Sequence, residues 1–178
     1  MRNGFQESLI SFASSQERLW FALAGNAGCD GYHSCYFHLI NAGKSKLTKG
    51  LPRKVNSLDE NFLLIRSERM PAISSQLSGY HLYGTDICIN AIDAGNNCYV
   101  IPFLVEHLSL GNLKDLEKFI PDFVTTHSNQ ATGKFIQTTC TKFYLGNSPA
   151  QSKFYNSGFM FELVKFWQRI KQMSPRKS

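Results

Sequence analysis

Three short apolar runs stand out in a chain that otherwise mixes apolar and polar residues. They cover residues 19–24, which include Trp20 and Phe21, and residues 62–65 and 99–105. Short apolar runs bounded by turn residues are typical of buried β-strands. We therefore expect these three runs to form the strands of a central sheet.

The helical pattern is clearest over residues 86–94, where apolar side chains recur at the spacing of one helix face. Thr85 is expected to cap the start of this helix, and Gly95 to end it. Further helices are predicted over residues 5–12, 113–119 and 154–173, the second of them ended by Pro121. Because strand, loop, helix and strand follow one another through the centre, the sequence predicts an α/β fold.

Two stretches show neither pattern. Residues 30–54 are interrupted by three glycines and a proline, and residues 128–141 are rich in Gly, Thr and Gln. The first stretch is predicted to be a loop, and the second a loop or a weak strand.

The composition is that of a globular protein, with 43% hydrophobic and 18% charged residues among 178. This length suits one domain with a sizeable core. No apolar stretch reaches the roughly 18–20 residues that span a bilayer, and residues 1–8 lack the apolar region of a signal peptide. A cytoplasmic location is therefore expected, with any membrane contact being peripheral.

The chain is basic, with a net charge of +6 and a pI of about 9.1. Basic residues cluster within residues 44–54 and again at the C-terminus. Such a surface suits nucleic acid, anionic lipid or a diphosphate substrate, whereas the alternative is simply a solvated loop and tail. Because no sequence signature of a nucleic-acid-binding fold is present, nucleic acid is not expected as a partner.

The cysteines leave two interpretations open. There are five of them, none at C-x-x-C spacing, and Cys29 and Cys35 lie close to His33 and His38. Zinc is bound by such residues, but this spacing fits no common zinc finger. Reduced and mostly buried thiols are the favoured alternative.

Ionisable side chains collect at the ends of the predicted elements, in residues 58–61, 79–86 and 106–112. Ligand sites of open α/β sheets collect at such ends. Asp86 lies in the first turn of a predicted helix, where free amides stabilise a carboxylate that can accept a proton from an alcohol. Its alternative role is only to favour the helix start. His107 can bind a metal or donate to a phosphate, or it is a structural histidine.

One combination of segments resembles a known family. Gly-Tyr-His-Leu-Tyr-Gly-Thr-Asp-Ile-Cys-Ile-Asn-Ala is followed by a helix ending in Ala-Gly, the run Cys-Tyr-Val-Ile, and then His-x-Ser-x-Gly-Asn. Over residues 19–112 the chain resembles the C-terminal, acceptor-side portion of bacterial GT-A glycosyltransferases of the family 2 type. The resemblance implies a partial GT-A-like sheet with flanking helices, from which the N-terminal nucleotide-binding strands are missing. Residues 1–150 would be this catalytic portion, and residues 151–178 a basic amphipathic helix and tail.

The resemblance also implies roles for particular residues. Asp86 would be the base that deprotonates the acceptor hydroxyl, which then attacks the anomeric carbon of a nucleotide sugar with inversion. His107 would approach a divalent metal, Mn²⁺ or Mg²⁺, that offsets charge on the diphosphate when the nucleotide-binding part is present. The residues that would bind the substrates are Asp59, Glu60, Tyr80, His81, Tyr83, Gly84 and Thr85.

The sequence departs from that family in one respect, because it contains no D-x-D motif. It is therefore expected to be either a fragment or a shortened homologue, with doubtful activity by itself. The expected partners are a nucleotide-sugar donor and a glycan or lipid-linked acceptor, with peripheral membrane contact through the C-terminal helix and self-association as further expectations. The alternative is a non-catalytic relic of the same fold that binds carbohydrate or another partner.

Overall fold

The structure is a computed structural model, and it describes residues 21–31, 34–77, 79–108, 113, 115–128 and 133–173. The helix predicted over residues 5–12 lies outside this part of the chain. The strands within it are β1 Phe21–Gly25, β2 Ala27–Cys29, β3 Cys35–Asn41, β4 Lys44–Leu47, β5 Arg53–Val55, β6 Ser57–Leu58, β7 Leu63–Ile65, β8 Asn97–Val100, β9 Val105–His107, β10 Lys134–Gln137 and β11 Lys142–Leu145. The α-helices within it are α1 Tyr83–Asp93, α2 Leu116–Thr126, α3 Pro149–Tyr155 and α4 Gly158–Met173.

The first sheet has the strand order β5-β8-β1-β7, in which β1 and β8 are parallel and the other neighbours are antiparallel. Strand β1 is fully buried at Ala22, Leu23 and Ala24, and α1 packs against the sheet through Ile87 and Cys88. The strands predicted over residues 19–24 and 62–65 are confirmed where the structure describes them. The run 99–105 is confirmed only in part, because β8 ends at residue 100 and β9 joins a different sheet.

The second sheet has the order β4-β3-β2-β6, with β9 paired to β3. The loop predicted over residues 30–54 is wrong, since β3 and β4 of this sheet and β5 of the first sheet lie there. Strand β4 is exposed at every residue, so no apolar alternation marks it in the sequence. Ala42 and Gly43 both have positive φ, of 46° and 76°, which is typical of the two-residue turn of a tight hairpin.

A disulfide joins Cys29 and Cys35, which face each other across β2 and β3. The expectation of reduced thiols is therefore wrong for this pair, and neither sulfur is free to hold zinc. Cys88 and Cys98 are buried free thiols, and Cys140 is an exposed one.

The central helix begins earlier than predicted. It starts at Tyr83, and Leu82 before it has a left-handed backbone with φ of 69° and provides no side-chain cap. Thr85 therefore lies inside the helix rather than at its cap. Gly95, with φ of 80°, follows the helix end as predicted.

Helix α2 does not stop at Pro121 but continues to Thr126. An interior proline costs about 3 kcal/mol through its missing N–H, and burial of Phe123 and Val124 on the next turn offsets this cost. These two side chains join Leu82, Ile89 and residues of β10 and β11 in a second apolar core. Strand β10 lies within the stretch predicted as a loop or weak strand, and it pairs with β11 in an antiparallel hairpin.

The single helix predicted over residues 154–173 is divided into α3 and α4. Asn156 lies at the division, and its side chain both donates to the carbonyl of Tyr144 at 2.7 Å and accepts from the amide of Tyr144 at 2.8 Å. The break is thus tied to β11, a partner that helical periodicity does not reveal. The domain boundary predicted at residues 150 and 151 falls within α3.

The described residues form a mixed α/β structure of several sheets and four α-helices, so the predicted class is confirmed at that level. Nothing in the arrangement is specific to a GT-A sheet. Among the described residues, none of the helices combines the length and apolar character needed to cross a membrane.

Candidate functional site

A pocket of about 340 Å³ lies where β3, β6 and β9 end near the turn that precedes α1. Its size is at the small end of the range for small-molecule sites. It brings together most of the residues that the sequence singled out. The pocket is lined by Phe37, Leu39, Asn41, Lys46, Asp59, Glu60, Asn61, Tyr80, His81, His107, Leu113, Thr139 and Cys140.

Glu60 is the most perturbed acid at this pocket. Burial and, second to it, the negative charge of Asp59 raise the pKa of the Glu60 carboxyl to about 7. Oε1 accepts a hydrogen bond from the backbone N–H of Gly84 at 3.2 Å, which holds the side chain in one position. A carboxyl group with such a pKa can both accept and return a proton near neutral pH.

Asp59 is held by different contacts. Its Oδ2 accepts a hydrogen bond from the hydroxyl of Thr139, and its Oδ1 accepts one from the backbone N–H of Asn61 at 3.2 Å. These contacts hold the Asp59 carboxyl beside Thr139 and Asn61, whereas that of Glu60 is held by Gly84.

Gly84 allows the turn before α1 to approach these carboxyl groups. A Cβ at this position would lie 2.6 Å from the carbonyl oxygen of Leu58, so no side chain fits. The close approach also brings the hydroxyl of Tyr83 to 3.3 Å from the carbonyl oxygen of Glu60, to which it donates. Burial and the charge of Glu60 raise the pKa of Tyr83. Thr85, in contrast, is fully buried and does not line the pocket.

Aromatic rings form part of the pocket wall. Tyr80 is 87% exposed at its mouth, and the ring of His81 rests against Phe119 with centroids 5.7 Å apart. Phe37 lines another part of the pocket. An exposed tyrosine beside polar groups provides an apolar face on which a ligand ring can stack.

One polar atom of the pocket lacks a partner. Oδ1 of Asn41 is buried and has no hydrogen-bond partner among the described contacts, and Asn41 pairs with His107 across β3 and β9. An unsatisfied buried acceptor costs about 1–3 kcal/mol. A ligand hydroxyl or N–H group at this point would remove that cost.

Asp86 does not line this pocket. Asp86 is 1% exposed. Its carboxylate accepts hydrogen bonds from the hydroxyl of Ser74 at 2.6 Å, the amide of Ser74 at 3.0 Å and Asn90 Nδ2 at 3.2 Å. Nε2 of His127 lies at hydrogen-bond distance, 2.8 Å, from Oδ1 of the same carboxylate. Burial raises the pKa of Asp86, but the hydrogen bonds from His127 and Ser74 together have the larger effect, so the pKa lies below its usual value. Asp86 and His107, to which the sequence assigned the base and the metal contact, therefore do not line one pocket, because the Asp86 side chain is directed to His127 instead.

Sequence reasoning missed His127 and Ser74. Together with Asn90 they line a second, polar pocket of about 620 Å³. Neither residue lies in one of the three segments that the sequence predicts to hold functional side chains. His127 is also 41 positions from its partner Asp86 along the chain. The catalytic assignment of Asp86 stays a prediction, whereas its observed contacts tie α1 to α2 and to the segment around Ser74.

The divalent metal expected from the sequence stays a prediction. In the described part of the chain, no group of three or more His, Cys, Asp and Glu side chains is close enough to hold one. The metal-ligand role predicted for His107 thus gains no supporting ligands.

Comparison with known proteins gives a limited result. The sequence matches no protein-family model. Over 65 residues it is 37% identical to a protein of Fuscovulum blasticum named "ATP synthase subunits region ORF 6". The match covers 36% of this chain and only 26% of that protein, about a quarter of its length. The name states no activity.

The family resemblance drawn from the sequence is therefore contradicted. The comparisons provide this partial homologue, and no glycosyltransferase family model matches the sequence. Local packing accounts for two of the residues that carried the resemblance. Gly84 is required by its approach to Leu58, and Asp86 is occupied by Ser74 and His127.

Proposed function

We propose that the 340 Å³ pocket binds a carbohydrate and that Glu60 accepts a proton from one of its hydroxyl groups. The observation that carries this proposal is that the half-buried carboxyl group of Glu60 and the exposed ring of Tyr80 line the same pocket. Burial and the charge of Asp59 raise the pKa of this carboxyl to about 7, which suits a base. Aromatic faces suit the C–H faces of sugar rings, and the carboxyl and amide oxygens suit sugar hydroxyls.

The reaction class that we propose is glycosyl transfer to that hydroxyl from a nucleotide sugar. The hydroxyl oxygen forms a bond to the anomeric carbon, the bond from that carbon to the diphosphate breaks, and the proton passes to Glu60. The acceptor is a glycan or a lipid-linked sugar. Because the described residues offer no cluster of metal ligands, no step of this proposal is assigned to a metal ion.

Glu60 suits the role of base better than Asp86 for a geometric reason. A general base must come within hydrogen-bond reach of the proton that it takes. Glu60 lines the pocket, whereas Asp86 does not line it and its carboxylate is hydrogen-bonded to Ser74, Asn90 and His127.

The test has a binding step and a rate step. A glycan array identifies ligands of the wild-type chain, and the Tyr80→Ala variant should lose affinity for them. Glu60→Gln keeps the side-chain shape and should retain binding while lowering transfer by about 10²–10⁴-fold. Ser74→Ala, which alters the buried Asp86 network outside the pocket, is the matched control.

Three results separate the alternatives. Binding with no transfer from any nucleotide sugar would favour the non-catalytic carbohydrate-binding alternative. Transfer that survives Glu60→Gln would remove Glu60 from the role of base. Failure to bind any glycan would refute the proposal for this pocket.

A further inference from the structure

Helix α4 exposes an unusual amount of apolar surface. The exposed fractions are 77% for Phe159, 57% for Phe166, 61% for Trp167 and 41% for Ile170. Single exposed apolar residues are ordinary, but a contiguous group of large ones marks an interaction surface.

These four residues share one side of the helix. Their spacing of seven, eight and eleven positions from the first places them within about a third of the helix circumference. The opposite side faces the rest of the chain, because Phe161 stacks on Phe135 with ring centroids 5.8 Å apart. The outer apolar side is therefore left over after the helix has made its packing contacts.

The net charge around α4 indicates which kind of partner covers its outer apolar side. Residues 158–178 contain five basic residues and one acidic residue, so they carry +4 of the chain's net +6. Lys165 lies within this segment, with its Nζ 5.3 Å from the ring centroid of Phe161 and paired with Glu162. Aromatic residues on one side of a basic helix are typical of helices that lie in the interface of an anionic membrane.

We propose that α4 attaches the chain to an anionic lipid surface, with Phe159, Phe166, Trp167 and Ile170 inserted among the lipids. The positive charge of the segment draws the helix to the headgroups, and the aromatic side chains anchor it there. This surface is separate from the carbohydrate pocket, and the proposal does not depend on the proposed function.

The test is sedimentation of the full chain with lipid vesicles. We expect binding to vesicles of mixed phosphatidylcholine and phosphatidylglycerol, and binding that is weaker by about fivefold for each basic residue engaged when the vesicles are phosphatidylcholine alone. The triple variant Phe159→Ser, Phe166→Ser, Trp167→Ser should lose at least about a hundredfold in partitioning, since each buried aromatic contributes roughly tenfold.

The control is Leu47→Ser, which removes a large side chain of comparable exposure, 53%, from β4. It should bind vesicles as the wild type does. Equal far-ultraviolet circular dichroism and equal melting temperatures would show that the triple variant is folded.

Several outcomes would overturn the proposal. They are the absence of vesicle binding, equal binding by the triple variant, and equal binding to neutral and anionic vesicles. A dimer in light scattering that the triple variant abolishes, without vesicle binding, would assign the surface to self-association instead.

Discussion

Replacing Glu60 by glutamine should change the pH dependence of stability in a defined way. The pKa of this carboxyl rises from 4.5 to about 7 on folding, and each pKa unit corresponds to about 1.4 kcal/mol. The shift therefore corresponds to about 3 kcal/mol of unfolding free energy that depends on the protonation of Glu60.

The direction of this pH dependence follows from the raised pKa of Glu60. The folded chain holds the proton more tightly than the unfolded chain does, so protonated Glu60 favours folding. This contribution is complete below a pH of about 4.5 and is lost as the pH rises through about 7. The glutamine side chain of the variant does not titrate, and its carbonyl oxygen can still accept the hydrogen bond that Gly84 donates to Glu60.

The assay is urea denaturation of the wild type and Glu60→Gln at matched pH values from acid to weakly alkaline. The stability of the variant relative to the wild type should rise by up to about 3 kcal/mol across this range. Asp59→Asn, which removes the neighbouring charge, should move the transition to lower pH. A stability difference that stays constant with pH would refute the reasoning about Glu60.

Three further changes test the packing around the site. Gly84→Ala should destabilise the fold by about 1–3 kcal/mol in urea denaturation, because its Cβ would lie 2.6 Å from a backbone carbonyl oxygen; an unchanged midpoint would contradict this contact. His127→Ala should cost about 1–3 kcal/mol at neutral pH, and less in acid where Asp86 is protonated; a pH-independent cost would show that the pair does not stabilise the fold through charge. Reducing the disulfide between Cys29 and Cys35 should lower stability by roughly 2 kcal/mol, and a Cys29→Ser, Cys35→Ser variant should not respond to reductant.

The sequence predicts those parts of the fold in which local pattern and burial agree. Strand β1 is an apolar run that is buried on both faces, and α1 follows a helical period and stops just before a glycine. Strand β4 is the reverse case. It is exposed throughout and is held only by pairing with β3, so its order comes from a partner and not from its own residues.

In the candidate site, too, some features follow from local sequence and others depend on contacts with distant residues. The side chains of Asp59, Glu60, Tyr80, His81 and His107 were selected from the sequence, and the structure brings all five to one pocket. The sequence cannot show which acid is accessible, because accessibility depends on distant contacts. Two such contacts decide it: the pairing of Asp86 with His127, and the approach of Gly84 to Glu60.

The most direct test of the account is the pH dependence of transfer from a nucleotide sugar to a glycan that the chain binds. Transfer requires ionised Glu60, so the rate should rise with pH and level off above a pH of about 7. Glu60→Gln should lower the plateau by about 10²–10⁴-fold and abolish this rise. A rate that is independent of pH through this range, or that Glu60→Gln leaves unchanged, would contradict the claim that Glu60 is the base.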